Sequence, residues 1–376
     1  MKIGIVCYPT YGGSGVLATE LGIALAHRGH QIHFITYKKP ARLFDFHKNI
    51  YFHEVNSSEY PLFEYAPYET ALASRMVDIA IHEKLDVLHV HYAIPHASAA
   101  FMAKSILKEQ NINIPVVTTL HGTDITLIGL DAAYLPVVEF SINQSDAVTS
   151  VSESLKQQTL DSFNVNKDID VIYNFIDETK FTRKEDLDFK NSIAPNGEFI
   201  ISHTSNFRKL KRVDDVIRIF EEVYRKIPAK LLLIGDGPER STLMQLCRTI
   251  GLCDEIIFLG KQDAVERLLS ISDLFILPST HESFGLAALE ALATEVPVIS
   301  SNVGGIPEVN VHGETGYLSD VGNVKEMANY AIEILQDPAK LKSFRKNAIA
   351  KANTFRKDLI VPQYEKVYQK AIDSLK

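Results

Sequence analysis

Residues 2–22 read KIGIVCYPTYGGSGVLATELG, a strand-length apolar run that turns on a glycine cluster into a helical pattern from about Gly15 to Arg28. Glycines at such a turn let backbone N–H groups approach an anion at a helix N-terminus. Gly13-x-Gly15-x-x-Ala18 also satisfies a dinucleotide fingerprint, which alone is a weak signal. A dinucleotide site asks for an acid at the end of the second strand, and "FITYKKP" has none. Lys38 and Lys39 could instead meet a 2′-phosphate, so an NADP-dependent oxidoreductase stays open, as does a tight turn that holds no ligand.

The same alternation continues outward. "HQIHFIT", "LDVLHVH" and "IPVVTTL" read as strands, with a helix after Pro95. The rhythm restarts with "FIISHTS", "AKLLLIG", "EIIFLG", "DLFILP" and "VPVISS", interleaved with helices such as "DDVIRIFEEVYRK". Strands alternating with crossover helices predict parallel sheets covered on both faces. The polar stretch near 172–196, punctuated by Pro195 and Gly197, suits an interdomain connection. The expected domains are therefore 1–172 and 173–354, with a last helix over about 355–376 that could pack back on the first. At 376 residues the chain is long enough for two domains, each with its own core.

Composition narrows the function. A net charge of −8 argues against an electrostatic nucleic-acid binder, and the cluster Lys38, Lys39, Arg42 and Lys48 reads as a solvated loop. No stretch has the pattern of a signal peptide or a membrane span, so a cytoplasmic location is expected. Cys7, Cys247 and Cys253 fit no metal or redox spacing, and the thirteen histidines form no local ligand motif.

In parallel sheets, ligands sit outside the carboxyl ends of the strands. This chain keeps its unusual residues there: Gly12 to Gly15, His91-Tyr92, His121 to Asp124, Asn206 to Lys211, Gly235 to Gly237 and His281 to Gly285. "SNFRKLKRVDD" puts Arg208, Lys209, Lys211 and Arg212 between a strand and a helix, well placed to neutralise phosphates. In "HESFGLAALEALA" (281–293), Ser283 is the expected helix N-cap, and the amides of Phe284, Gly285 and Leu286 suit a phosphate. Carboxylates beside a phosphate would repel it, so Glu282 and Glu290 need other partners. Ionised carboxylates are acceptors that can grip vicinal hydroxyls. A ligand with diols on both sides of a diphosphate is a nucleotide sugar.

Glu282-x7-Glu290 with "SFG" between, "SNFRKLKR", "GGSG", "TTLHGTDI" and "YNFID" together resemble the retaining, two-domain glycosyltransferases of the glycogen-synthase and sucrose-synthase-like group. The resemblance covers nearly the whole chain. It implies two Rossmann-like domains facing across a cleft, the GT-B type. Within the group, "CYPTYGGSGVLATELG", "HVHYAIPHA", "LHGTDIT" and "SNFRKLKRVDDVI" are most similar to enzymes that join N-acetylglucosamine from UDP-N-acetylglucosamine to the hydroxyl of L-malate, the first step of bacillithiol biosynthesis. Another acceptor, a lipid included, is the alternative.

Carried over, the resemblance implies that Glu290 takes the ribose hydroxyls and Glu282 the hexose hydroxyls. The amides of Phe284 to Leu286 and the Lys211 side chain would hold the diphosphate, the Gly13 amide would close on its distal phosphate, and His121 would sit beside the reacting carbon. The group commonly has arginine where this chain has Asn206, and Arg208 is the expected substitute. The acceptor is expected near Ser14, Tyr92, His121 and Thr123, with Arg75 a candidate cation for its carboxylates. No carboxylate nucleophile is implied, and Asp124 reads as a helix-starting residue. Asp168-Ile169-Asp170 and Asp186-Leu187-Asp188 match a metal-binding string but lie outside the strand ends, so no metal and no cofactor is expected. Partners are small molecules, and self-association is left open.

Overall fold

The computed structural model describes residues 1–43, 46–56, 65–184 and 186–375. It divides into two units, Met1–Asn174 with Asp358–Lys376, and Phe175–Lys357. Among the described residues, no helix is long and apolar enough to cross a membrane.

Seven parallel strands form the sheet of the first unit: β1 (Lys2–Val6), β2 (Gln31–Thr36), β3 (Ile50–Glu54), β4 (Val87–His91), β5 (Val116–Leu120), β6 (Ala147–Ser150) and β7 (Ile169–Val171). Their order is β3-β2-β1-β4-β5-β6-β7. The order reverses between β1 and β4, and the crevice at such a switch point is where parallel sheets bind ligands. The strands read as continuous apolar runs because helices bury both faces, and β4 and β5 are buried at every position.

The second unit has six parallel strands: β8 (Phe199–Thr204), β9 (Ala229–Ile234), β10 (Ile256–Gly260), β11 (Leu274–Leu277), β12 (Val298–Ser301) and β13 (Gly316–Ser319). Their order, β10-β9-β8-β11-β12-β13, puts the switch point between β8 and β11. Helix Val213–Tyr224 shows why the sheet is covered: Val213, Val216, Ile217, Phe220 and Val223 fall on one face and are buried in the core of this unit.

The stretch near 172–196, expected as a connection with the second domain starting at 173, enters the second unit at Phe175. Lys190 Nζ reaches both oxygens of the buried Asp273 carboxylate (3.0 and 2.9 Å), and Asp186 caps the helix Leu187–Ile193. Charges that look solvated in sequence are here satisfied by distant partners. The chain leaves this unit beside its entry point: Ile176 N–H donates to Phe355 C=O (2.9 Å), and Lys357 pairs with Asp177 (2.7 Å).

The last helix, Lys357–Asp373, buries Ile360, Val361, Tyr364, Val367, Tyr368 and Ala371. It belongs to the first unit, where Glu365 takes a two-pronged bond from Arg28 (2.9 and 2.8 Å) and Tyr368 OH meets His89 Nδ1 (2.8 Å).

Candidate functional site

At the switch point of the second unit, the loop after β8 meets the loop after β11. Phe207, fully buried with φ of 30°, anchors the first loop while Asn206, Arg208 and Lys209 stay exposed. Thr280 ties the two loops, its N–H (2.8 Å) and its hydroxyl (3.1 Å) both donating to Leu210 C=O. Lys211 Nζ then reaches Glu282 Oε1 at 2.5 Å, and Ser279 Oγ donates to the same oxygen (2.9 Å). Beneath them, buried His203 spans Ile276 C=O and Ser205 Oγ (2.8 Å each), and desolvation pushes its pKa down to about 4. His281 Nε2 is buried without a hydrogen-bond partner.

Ser283 is not the N-cap of the following helix. Gly285, with φ of 95°, takes that place, and the helix runs Leu286–Ala293. Only glycine enters this left-handed conformation without strain, so the turn closes two residues later than a serine cap would set it. Leu289 N–H is the first to close back, on Gly285 C=O (3.1 Å). The open amides of the helix are therefore those of Leu286 to Ala288, shifted from Phe284 to Leu286. Phe284 is buried, its ring edge-on to Phe355 at 5.6 Å. Glu290, one turn in, is only 6% exposed, which distinguishes it from a solvated helix glutamate.

Gly304 and Gly305, after β12, lie directly against the Glu282 loop: a Cβ on Gly304 would sit 1.9 Å from Glu282 O, and one on Gly305 2.4 Å from Ser283 O. Gly305 N–H donates to Glu282 C=O (3.0 Å). In sequence the only mark of this contact is a glycine pair shortly after the strand run VPVISS.

In the first unit, the switch point is bridged by Tyr92, whose hydroxyl donates to Ser14 Oγ (2.6 Å). Helix Gly13–His27 begins at Gly13, and Val16 N–H closes on Gly12 C=O (3.0 Å), so the amides of Gly13 to Gly15 form its open end. Gly15 is demanded by packing, because a Cβ there would lie 2.3 Å from Thr10 O and 2.5 Å from Tyr8 O. The fingerprint glycine is thus explained by its own loop.

Tyr92 holds a φ of 85°, strained for a residue with a side chain. Asp124 stiffens this region, accepting from Ala93 N–H (2.8 Å) and Gly122 N–H (3.0 Å); burial still raises its pKa to about 6. His121 Nε2 meets Nδ1 of buried His91 at 2.7 Å, and its ring lies 5.1 Å from that of Tyr92. Desolvation, then the charge of nearby His96, pushes His121 down to about 3, so it is neutral near pH 7. Thr123, partly buried, opens the turn Thr123–Leu127 beside it. Arg75 lies on helix Tyr68–Glu83, where it pairs with Asp78 (2.5 Å). Lys38, Lys39 and Lys48 are exposed, as are Asp168, Asp170 and Asp188.

Two family descriptions match the chain: Glycosyltransferase Family 4 over residues 11–180, and Glycosyl transferases group 1 over residues 184–351. N-acetyl-alpha-D-glucosaminyl L-malate synthase of Bacillus anthracis is 50% identical over 98% of this chain and 96% of its own length. Among solved structures, sucrose-phosphate synthase from Thermosynechococcus elongatus superposes with a TM-score of 0.83 at 20% identity, covering 100% of both chains. Anabaena Alr3699/HepE in complex with UDP and glucose gives 0.82 at 21% identity, covering 98% of this chain and 99% of that one. These likenesses identify the fold as GT-B, and the oxidoreductase reading falls away. The chain is a glycosyltransferase and belongs to the family of the N-acetyl-alpha-D-glucosaminyl L-malate synthases.

Proposed function

We propose that this enzyme transfers N-acetylglucosamine from UDP-N-acetylglucosamine to the hydroxyl of L-malate, with retention at the anomeric carbon, as the first step of bacillithiol biosynthesis. The observation that carries the donor side is the meeting of Lys211 with Glu282 at 2.5 Å, in the loop that leads into the helix Leu286–Ala293. Cationic nitrogen and carboxylate adjoin there, as they must where a diphosphate joins a sugar bearing hydroxyls. The sugar and acceptor are supported by the name of the 50% identical relative. Its alpha product also favours retention, since UDP-N-acetylglucosamine is itself an alpha-linked donor.

Breaking the anomeric bond puts negative charge on the departing UDP. Lys211, Arg208 and the helix amides stabilise that charge more in the transition state than in the ground state, which is the condition for catalysis. Glu282 orients the hexose and Glu290 the ribose. The acceptor hydroxyl attacks on the face UDP leaves, and a diphosphate oxygen takes its proton. His121, neutral, serves the reacting carbon as a hydrogen-bonding group rather than a charge. Ser14, Tyr92 and Thr123 receive the acceptor. Asn206 stands where the group's arginine would, and Arg208 supplies the charge. The chemistry needs no metal, and the enzyme works on small molecules in the cytoplasm.

The test is incubation with UDP-N-acetylglucosamine and a panel of hydroxy acids in a chelator, reading product mass and anomeric coupling. Malate is expected to be consumed to an alpha-glycoside. Turnover with another acceptor alone overturns the malate assignment; a beta product overturns retention. Separately, Glu290→Gln is expected to weaken UDP binding by calorimetry, and unchanged affinity removes that residue's role.

A further inference from the structure

Away from the strand ends, the sheet of the first unit gathers three ligand-type side chains that lie far apart in sequence. His33 is in β2 and His53 in the edge strand β3, where the parallel register pairs His33 with Tyr51 and Ile35 with His53. With a side-chain period of two, both imidazoles fall on one face. Helix Tyr68–Glu83 supplies its last residue, Glu83, to the same place. One nitrogen from each histidine and one Glu83 carboxylate oxygen all lie within 4.8 Å of one another.

We propose that His33, His53 and Glu83 form a binding site for a divalent transition-metal ion, zinc by its donor set, that fastens β3 and the end of helix Tyr68–Glu83 to β2. Two imidazoles and a carboxylate suit zinc, leaving a fourth position to water, whereas calcium and magnesium prefer all-oxygen sites. His33 Nδ1 and His53 Nε2 stand 2.9 Å apart, and tetrahedral zinc holds nitrogens about 3.3 Å apart, so a ring shift of a few tenths of an ångström admits the ion.

The second observation is independent of this spacing. His33 is 0% exposed, and its Nδ1, the nitrogen that faces His53, is the atom the ion would take. A core position that needed only volume would carry an apolar residue, since burying a polar imidazole is costly. Lys2 Nζ donates to the backbone carbonyl of Glu83 (2.8 Å). Tyr51 stacks on His33 with centroids 4.9 Å apart and limits the ring's rotation.

The full-length chain, stripped with a chelator and dialysed, is titrated with zinc chloride, reading stoichiometry by elemental analysis and stability by thermal melting. His53→Gln and Glu83→Gln, at partly exposed positions, serve as variants in place of the fully buried His33. One saturable equivalent per chain is expected, raising the melting temperature of the parent. Each variant is expected to lose more than about tenfold in affinity, since even outer-shell changes cost roughly 10–100-fold. Absence of saturable binding, or parental affinity in either variant, overturns the proposal.

Discussion

Lys211 lies between two demands. It is 19% exposed at its side chain and already shares a charge with Glu282, so a phosphate that recruits it must compete with a carboxylate at 2.5 Å. Ser279 holds the same carboxylate oxygen, which under the proposed mechanism would keep Glu282 in place as Lys211 turns to phosphate. Lys211→Ala is expected to lower kcat by about 10²–10³, the cost of one preorganised donor at a developing anion. The steady-state rate, with unchanged melting behaviour as control, checks it; an unchanged kcat removes Lys211 from the chemistry. At this scale the sequence was informative about residue type and poor about exposure. Nothing local to Glu290 says that it is buried, because burial is set by what packs on its helix.

At the scale of elements, the Glu282 loop owes its shape to the glycine pair behind it. Gly304 has φ of 53°, and a methyl group there would overlap Glu282 O. Gly304→Ala is expected to cost about 1–3 kcal/mol of stability through backbone strain and to weaken UDP binding together with it. Chemical denaturation and a UDP titration read the two effects, and loss of stability with full UDP affinity would separate the glycines from the site. The last helix offers a second case, since its Tyr368 hydroxyl satisfies His89 Nδ1 deep in the first unit. Tyr368→Phe leaves that nitrogen buried without its partner, for an expected loss of about 1–3 kcal/mol in denaturant unfolding. A loss near zero would mean that water replaces the hydroxyl. The periodic apolar face of this helix was legible; the tyrosine's polar end was not, because its partner lies 279 positions away.

Across the whole molecule, buried histidines set the response to acid. In the first unit, desolvation holds His89 and His121 at about 3 and His33 and His96 at about 4, with His91 well below its ordinary value. A histidine depressed on folding contributes stability that is full above its unfolded pKa, about 6.5, and lost as pH falls toward the folded value. Asp124, raised to about 6, acts in the opposite sense: its contribution is full below about 4 and lost as pH rises through 6. Five imidazoles outweigh one carboxyl. Stability is therefore expected to fall between about pH 6.5 and 4, by up to about 1.4 kcal/mol per pH unit for each histidine held neutral. Denaturant midpoints from pH 7.5 downward check this, and a flat or rising midpoint would show that these rings admit protons when folded.

The alternation of apolar runs with amphipathic stretches determined two parallel sheets, and the strand-end rule pointed to the loops of the candidate site, since both are local signals. The helix start behind Gly285 in place of Ser283, the pairing of Lys190 with buried Asp273, the glycine pair behind Glu282 and the meeting of His33, His53 and Glu83 were decided only by tertiary structure. Each depends on which distant backbone or side chain comes within a few ångströms. That distance is a property of packing, and a one-dimensional pattern does not contain it.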